Sequence, residues 1–227
     1  MSVFYESYGA SKDYSAPELS QKHIARFDAE IWRPAGLQED MRCLEIGCGT
    51  GQFLNYLHHK GIGELKAIDL DASLADFIPD PVRGVFEACD VWAFLEKAGD
   101  EKPYDRIFMF DVFEHFVPED GLKLLNKLKV CLKPGGAIIL KMPNASSPWG
   151  LQFQHGDLTH LAAYTPDSIR QMAVAAGLVC SACYPHLLGS PNRRRMDRLL
   201  QAILNRFSAT PLEIWEGNFY ARLDKSL

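Results

Sequence analysis

Two short segments of the chain place histidine and acidic residues close enough together for acid–base or metal chemistry. One is His155-Gly-Asp157-Leu-Thr-His160, with two imidazoles and one carboxylate within six residues. Because an unperturbed histidine titrates near neutral pH, such a segment suits a general base that a carboxylate orients. We predict His160 as the base, with His155 as second choice and Asp157 beside them. The alternative is that Asp157 and His160 only brace a loop through hydrogen bonds.

The second segment, Phe110-Asp111-Val-Phe-Glu114-His115, carries two carboxylates and one imidazole. Asp111, Glu114 and His115 are plausible ligands of a divalent metal, although this set suits several metals. Short spacing of this kind also occurs where the residues only cap or brace a loop. A divalent metal is therefore possible here but is not the favoured interpretation, and His115 is kept as a further catalytic candidate.

A glycine-rich turn lies between a predicted strand, Cys43–Ile46, and a predicted helix, Phe53–Lys60; it reads Glu45-Ile-Gly47-Cys48-Gly49-Thr-Gly51. Glycines let the backbone approach a ligand closely, at the sheet edge where open α/β folds bind nucleotides. Gln52 stands where the dinucleotide fingerprint has glycine, and no Gly-Lys-Ser/Thr follows as in a P-loop. The turn therefore matches neither of these phosphate-binding motifs.

Short apolar runs alternate with helical stretches, which is typical of a parallel sheet covered by helices. The predicted strands are Cys43–Ile46, Leu65–Leu70, Val85–Cys89, Arg106–Phe110, Ala137–Met142, Leu178–Tyr184 and Asn218–Leu223. The predicted helices are Ser20–Trp32 (ended by Pro34 and Gly36), Phe53–Lys60, Val91–Ala98, Glu119–Cys131, the stretch from Thr165 to Gly177, and 191–210. Lys133–Gly136 is predicted as a turn and Pro143–Tyr164 as a long loop. The fold class is α/β: a doubly wound, Rossmann-like, seven-stranded, mostly parallel sheet with helices on both faces.

The glycine turn resembles motif I of the class I S-adenosylmethionine-dependent methyltransferases. The resemblance continues in order over about residues 41–142. Its other segments are Asp69 at the end of the second strand, Cys89-Asp90-Val91, Tyr104-Asp105, and Leu132–Ile139 entering the fifth strand. The resemblance implies an enzyme that uses S-adenosylmethionine as its cofactor.

The resemblance also implies which residues bind this cofactor. Asp69 would accept both ribose hydroxyls, and Glu45 would orient the turn or bind the cofactor's ammonium. Asp90 would accept from the adenine amine, or alternatively would only cap the following helix. The implied cofactor-binding residues are Glu45, Gly47, Cys48, Gly49, Gly51, Asp69, Leu70, Asp90, Val91 and Asp111.

Two further resemblances concern the acceptor. The stretch from Pro143-Asn144 through Asp157-Leu-Thr-His160 to Thr165 is similar to methyltransferases of glycan and lipopolysaccharide biosynthesis. It implies O-methylation of a hydroxyl or terminal phosphate on a sugar, nucleotide sugar or glycolipid precursor. Asp111–His115 resembles a stretch of the ubiquinone-biosynthesis O-methyltransferases, in which a metal is thought to bind. The alternatives are therefore a small-molecule O-methyltransferase of the quinone or secondary-metabolite type, and a non-catalytic cofactor-binding subunit.

Composition and net charge limit the kinds of partner that the protein is expected to bind. The net charge is −5 and no long apolar run is present, so neither nucleic-acid binding nor a membrane span is expected. We expect a cytoplasmic protein without a secretory signal, whose cysteines are free. Residues 1–40 are expected to form a helical segment that closes over the cofactor, with Tyr5, Tyr8 and Tyr14 as aromatic candidates. Residues 41–227 would form the methyltransferase domain, including a substrate loop at 143–165.

A basic amphipathic helix is predicted at 191–210. It begins with Arg193-Arg-Arg195 and carries apolar residues at helical spacing. It could pack on the domain, form a homodimer contact, or lie peripherally on an anionic membrane. Its arginines could also bind a substrate phosphate. The sequence leaves these alternatives open.

Overall fold

The computed structural model describes residues 14–97 and 102–226. Within these ranges seven strands form one sheet in the order β3-β2-β1-β4-β5-β7-β6. The strands are β1 Arg42–Ile46, β2 Glu64–Asp69, β3 Phe86–Ala88, β4 Tyr104–Phe110, β5 Leu132–Pro143, β6 Val179–Pro185 and β7 Asn218–Asp224. Only β7 among them runs antiparallel to its neighbours. The predicted fold class is confirmed.

Nine α-helical segments are present in the same two ranges of the chain. They are α1 Gln21–Phe27, α2 Arg33–Ala35, α3 Gln52–His59, α4 Asp80–Arg83, α5 Val91–Lys97, α6 Pro118–Cys131, α7 Leu151–His155, α8 Pro166–Ala175 and α9 Pro191–Phe207. No helix among the described residues is long and apolar enough to cross a membrane. Three residues of the sequence-based predictions lie outside the described residues. They are Tyr5 and Tyr8, in the segment expected to close over the cofactor, and Ala98, at the predicted end of the helix that corresponds to α5.

Two hydrophobic cores cover the two faces of the sheet. Alternate residues of a strand point to opposite faces, so β5 sends Ile138 and Leu140 into one core and Ala137 and Ile139 into the other. The first core contains side chains of α5, α6 and α8, and the second contains side chains of α1 and α3. Because β5 is buried on both faces, its sequence is a continuous apolar run rather than an alternating one.

The predicted first helix is interrupted. Ser20 caps α1 by accepting a hydrogen bond from the His23 amide, as expected of a serine at a helix start. A wider, π-helical stretch, Asp28–Trp32, then leads into α2. Pro34 was expected to end the helix, but the helical stretch continues through it to Ala35, and Pro34 lies just after the wider π-helical stretch. The helix ends at Gly36, which adopts the left-handed conformation with φ +61°.

Two predicted irregular segments contain regular structure. The predicted turn Lys133–Gly136 is wrong, because these residues belong to β5. Leu132 pairs with Tyr104 and Ala137 pairs with Arg106, so the segment forms a bulge against β4. The predicted loop at Pro143–Tyr164 contains helix α7. Five residues are too few to show a helical repeat in the sequence.

Helix α9 ends at Phe207 rather than at residue 210. None of its residues is buried; Leu204 is half-buried, and the other large apolar side chains of the helix are exposed. The alternative in which this apolar stripe packs against the domain is therefore wrong.

Candidate active site

A cavity of about 320 Å³ opens above the glycine turn, at the carboxyl end of β1. Parallel strands β1, β4 and β5 end at this edge of the sheet, and β6 ends there too because it is parallel to β5. The cavity is therefore lined by residues that lie far apart in the sequence. They include Glu45, Gly47, Gly49, Phe110, Lys141 and His186.

The glycines of the turn are required by the backbone. Gly47 has φ +71° and Gly49 has φ +54°, a region that side-chain-bearing residues rarely adopt. A Cβ on Gly47 would lie 2.2 Å from Cγ2 of Val112, whereas a Cβ on Gly49 would meet no atom within 4 Å. Packing against Val112 therefore excludes a larger residue at position 47, whereas the backbone at Gly49 is open to a ligand.

Glu45 is a buried acid at the end of β1. It is 4% exposed, and its Oε2 has no hydrogen-bond partner among the described residues. Burial, followed by the nearby charge of Asp69, raises the pKa of Glu45 well above its usual value. A buried acceptor without a partner fits a ligand that carries a donor or a positive charge. The open backbone at Gly49 and the unpaired oxygen of Glu45 are consistent with S-adenosylmethionine, whose amino-acid part carries an ammonium.

Asp69 and Asp90 follow β2 and β3. The Asp69 carboxylate accepts hydrogen bonds from the Gly49 amide at 2.9 Å and the Asp71 amide at 3.1 Å, which fixes it beside the glycine turn. Asp90 accepts from the Trp92 amide at 2.8 Å, so it caps α5 as in the alternative interpretation. Leu70 is 44% exposed and Val91 is buried in the first turn of α5.

Asp111 has an unusual backbone conformation at the end of β4. Its φ is +56°, the only positive value at a non-glycine residue in the described part of the chain. Such strained residues concentrate at functional sites. Its carboxylate pairs with Lys141 at 2.5 Å. Since Lys141 lines the cavity, the pair lies at the cavity's edge.

His186, which the sequence analysis missed, is a wall residue of two cavities. It follows β6 and lines both the cavity above the glycine turn and a second cavity of about 1160 Å³. Its Nδ1 is buried and has no hydrogen-bond partner in residues 14–97 and 102–226. Its Nε2 lies 3.7 Å from Oε2 of Glu30, which in turn accepts a 3.2 Å hydrogen bond from the Tyr220 hydroxyl. Burial and the charge of Lys141 lower the pKa of His186 to about 4, so its ring is neutral at pH 7.

Two other buried polar atoms without partners lie near His186. They are the Tyr184 hydroxyl and Oδ1 of Asn218. Tyr184 and His186 lie on the same face of β6, and the His186 amide donates to the Asn218 carbonyl across to β7. Buried polar groups are usually paired, but Tyr184 and Asn218 line neither cavity, so His186 carries the one of these three atoms that belongs to a cavity-lining residue.

The second, larger cavity lies between α7, α9 and the segment that follows β6. Its walls include aromatic and apolar side chains, such as Trp149, Phe153 and Leu188. They also include four arginines of α9, Arg193, Arg194, Arg195 and Arg198. The cavity can therefore receive a molecule that has both an apolar part and a negative charge.

The predicted catalytic segment forms a separate buried cluster. His160 Nδ1 donates to the Gln154 carbonyl at 3.1 Å, and its Nε2 lies 3.8 Å from Glu114 and 3.9 Å from Asp157. The His115 ring is 4.8 Å from the His160 ring. His155 is exposed. None of these residues lines either of the two cavities.

The structure also changes the candidate metal set. Asp111 is paired with Lys141, and the residues that come together are instead Glu114, His115 and His160, whose ligand atoms lie within 4.8 Å of one another. Neither oxygen of Glu114 has a hydrogen-bond partner within the described ranges, which suits a cation or a bound proton. However, His115 Nδ1 is already 3.1 Å from the Thr159 carbonyl and 3.0 Å from its hydroxyl. The arrangement therefore fits a buried hydrogen-bonded cluster without a metal at least as well.

The buried carboxyl group of Glu114 is expected to make the stability of the protein depend on pH. Burial, and then the charge of Asp111, raise the pKa of Glu114 to about 8 from an ordinary value of 4.5. Between these pH values the folded protein keeps a proton that the unfolded chain releases. Stability should therefore fall as pH rises, by up to about 1.4 kcal/mol per pH unit from this one group. Glu114→Gln should remove this slope, as measured by urea unfolding of both proteins at several pH values with chelator present. Equal slopes in the two proteins would show that Glu114 is ionised in the fold.

The comparisons with known proteins show the family of the chain and its fold. A family model for a methyltransferase domain matches residues 18–182. Phosphoethanolamine N-methyltransferase of Plasmodium falciparum is 30% identical over 108 residues, which are 46% of this chain and 40% of that protein. tRNA N(3)-cytidine methyltransferase METTL2 of Gallus gallus is 25% identical over 166 residues, which are 63% of this chain and 44% of that protein. The chain thus matches less than half the length of these two relatives.

A solved structure shows the same fold over nearly the whole chain. An S-adenosylmethionine-dependent methyltransferase from Archaeoglobus fulgidus superposes with a TM-score of 0.68 and 20% identity, covering 98% of this chain and 100% of that one. This likeness concerns the fold alone. The family model, in contrast, matches most of the chain, including the glycine turn and β1 to β5. The chain belongs to the family of S-adenosylmethionine-dependent methyltransferases.

Proposed function

We propose that the protein transfers a methyl group to a hydroxyl or terminal phosphate of an anionic acceptor, such as a sugar, nucleotide sugar or glycolipid precursor. One observation carries the proposal. His186 lines both the cavity above the glycine turn and the larger, arginine-lined cavity. A cofactor in the first cavity and an acceptor in the second would therefore approach each other at this residue.

The residues around His186 have separate tasks in the proposed reaction. Bound S-adenosylmethionine would supply a methyl group on a sulfonium: the acceptor oxygen would form a bond to the methyl carbon as the carbon–sulfur bond breaks, and the cofactor would leave as a neutral thioether. Neutral His186, through the unpartnered Nδ1, takes the proton of an attacking hydroxyl. Glu30, whose Oε2 lies 3.7 Å from Nε2, would stabilise the positive charge that the ring gains with the proton. Glu45 and the Gly49 backbone hold the amino-acid end of the cofactor.

The walls of the larger cavity support an acceptor with a negative charge. Arg193, Arg194, Arg195 and Arg198 line it, together with three acidic residues, Asp197, Glu213 and Glu216. Guanidinium groups bind phosphate through paired hydrogen bonds. Trp149 and Phe153 offer flat apolar surfaces on which a sugar ring can stack. The small-molecule alternative of the quinone type uses these aromatic walls but gives the arginines no task.

A second candidate is methylation of an amine on a phosphorylated small molecule. Its support is the relative that is a phosphoethanolamine N-methyltransferase. The arginines would bind the phosphate in this case too. An amine that is already neutral needs no base, so His186 would be dispensable for this reaction.

Methyl transfer from labelled S-adenosylmethionine into fractionated cell extract tests the proposal. We expect label in the glycan, nucleotide-sugar or glycolipid fractions and none in RNA, with no loss when chelator is added. Label in amines, in aromatic small molecules or in tRNA would contradict the proposed acceptor class. Tight cofactor binding without transfer to any fraction would instead support a non-catalytic subunit.

A further inference from the structure

Helix α9 is attached to the domain by polar side chains. Gln201 donates to Glu216 at 3.2 Å, and Asn205 accepts from the Trp215 indole at 2.8 Å. Residues four apart lie on the same side of a helix, so Gln201 and Asn205 mark the side that faces the domain. A surface helix ordinarily turns its apolar stripe to the core and its polar side to solvent. The orientation of α9 is the reverse.

Five large apolar side chains of α9 form one stripe on the outward side, whereas Leu204 is half-buried and lines the larger cavity. Successive residues are about 100° apart around a helix, so positions separated by three, four or seven residues lie on the same side of it. The stripe consists of residues that are all at least 48% exposed: Met196, Leu199, Leu200, Ile203 and Phe207. Phe207, at 86%, is the most exposed of them. In aqueous solution this stripe is unfavourable, because no other part of residues 14–97 and 102–226 shields it from water.

Arginines border the stripe on both sides. At 100° per residue, Arg195 and Arg206 lie next to Leu199 on one edge, and Arg193 lies next to Leu200 on the other. The helix carries five arginines and one acid, Asp197, although the whole protein has a net charge of −5. An apolar stripe with basic edges matches the surface of an anionic bilayer, where the stripe enters the acyl boundary and the arginines reach the headgroups.

We propose that α9 docks the protein on an anionic lipid bilayer, with the stripe Met196–Phe207 in the interface. The outward stripe and its arginine borders carry this inference by themselves. A second copy of the chain is a weaker match, because two such helices would bring ten arginines together. The larger cavity is lined by α9, so docking would bring its walls to the membrane. Taken together with the proposed function, this places the acceptor among membrane lipids with a phosphate headgroup.

Cosedimentation of the full chain with lipid vesicles tests the docking. Two vesicles are compared: phosphatidylcholine alone, and phosphatidylcholine with about 30 mol% phosphatidylglycerol. We expect binding to the anionic vesicles only. Raising the salt from about 0.1 M to about 1 M shortens the Debye length from about 10 to about 3 Å and should weaken binding at least about tenfold. No cofactor or acceptor is added, so the result does not depend on methyl transfer.

Matched variants separate the stripe from other exposed apolar residues. Ile203→Ser and Phe207→Ser should each lower the vesicle partition coefficient about tenfold or more. Val130→Ser and Val174→Ser are the controls, because these valines are each 76% exposed on other helices. Arg195→Glu and Arg206→Glu should abolish the preference for anionic vesicles. Since all these side chains are exposed, we expect the variants to fold. Thermal unfolding of each variant checks this.

Three outcomes would overturn the docking proposal. The first is absence of binding to anionic vesicles, and the second is equal loss in the control valine variants. The third is the finding, by sedimentation velocity, of a dimer that the Phe207→Ser substitution dissociates, together with absence of vesicle binding. This result would show that the stripe contacts a second copy of the chain. If vesicle binding is found but label never enters lipid, docking stands and the proposed acceptor is wrong.

Discussion

Replacement of His186 by asparagine is expected to lower the turnover number for methyl transfer by about 10²- to 10⁴-fold, the usual range for loss of a general base. Asparagine is smaller but keeps a polar atom near the position of Nδ1, so the wall between the two cavities should persist. The Michaelis constant for S-adenosylmethionine should change only a few-fold. Initial rates measured over both substrate concentrations separate these two effects.

The physical basis is the protonation state of His186. With its pKa lowered to about 4 by burial and by Lys141, the ring is neutral at working pH and its unpartnered Nδ1 can receive a proton. A base with so low a pKa is weak in water. However, Glu30 lies 3.7 Å from Nε2 and would stabilise the imidazolium that forms during transfer. Glu30→Gln should therefore lower turnover in the same direction but to a smaller extent.

His160→Asn is the matched control, because His160 is the base predicted from the sequence. It is buried beside Glu114 and lines neither cavity. We expect this variant to lose stability more than turnover. If His160→Asn instead loses turnover by 10²-fold or more while His186→Asn keeps it, the sequence-based assignment is right. Normal rates in both variants would indicate an acceptor that needs no base, such as an amine.

The fold was predictable because its main signals are local. Each central strand is a short apolar run, and the glycine turn follows the first of them, so both are readable from a few neighbouring residues. The bulge at Lys133–Gly136 was missed because lysine, proline and two glycines favour a turn in isolation. Pairing with β4 places these residues inside a strand instead. Tertiary contacts decided the outcome there, and the sequence carries no local sign of them.

The site was predictable on the cofactor side only. Glu45, Gly47 and Gly49 lie in one motif, whereas His186 is a lone histidine after an edge strand, and Glu30 comes from the N-terminal region. Only the sheet order brings these residues together. His115 and His160 stood in two separate predicted segments that the fold joins into one cluster. For α9 the sequence indicated an apolar stripe, but a stripe has the same pattern whether it faces the core or the solvent.

The second large effect is expected at Gly47. Alanine there would combine two costs: a left-handed backbone, about 1–2 kcal/mol, and a Cβ 2.2 Å from Val112 Cγ2, which adds about 1–3 kcal/mol of overpacking. We expect Gly47→Ala to lower the free energy of unfolding by about 2–5 kcal/mol, the sum of these costs. Displacement of the turn should also weaken S-adenosylmethionine binding about 100-fold or more, an effect typical of close-packed sites. Urea unfolding and calorimetric titration measure the two quantities.

Gly49→Ala and Val112→Ala separate these costs. Gly49 shares the positive φ of Gly47 but has no atom within 4 Å of its would-be Cβ, so Gly49→Ala should cost only the backbone strain of about 1–2 kcal/mol. Its added methyl would nevertheless enter the open space above the turn, so cofactor affinity should fall strongly with little loss of stability. In Gly47→Ala, adding Val112→Ala removes the clashing methyl and should restore part of the stability. If the double variant is no more stable than Gly47→Ala, then backbone strain alone requires glycine at position 47, and the contact with Val112 is incidental.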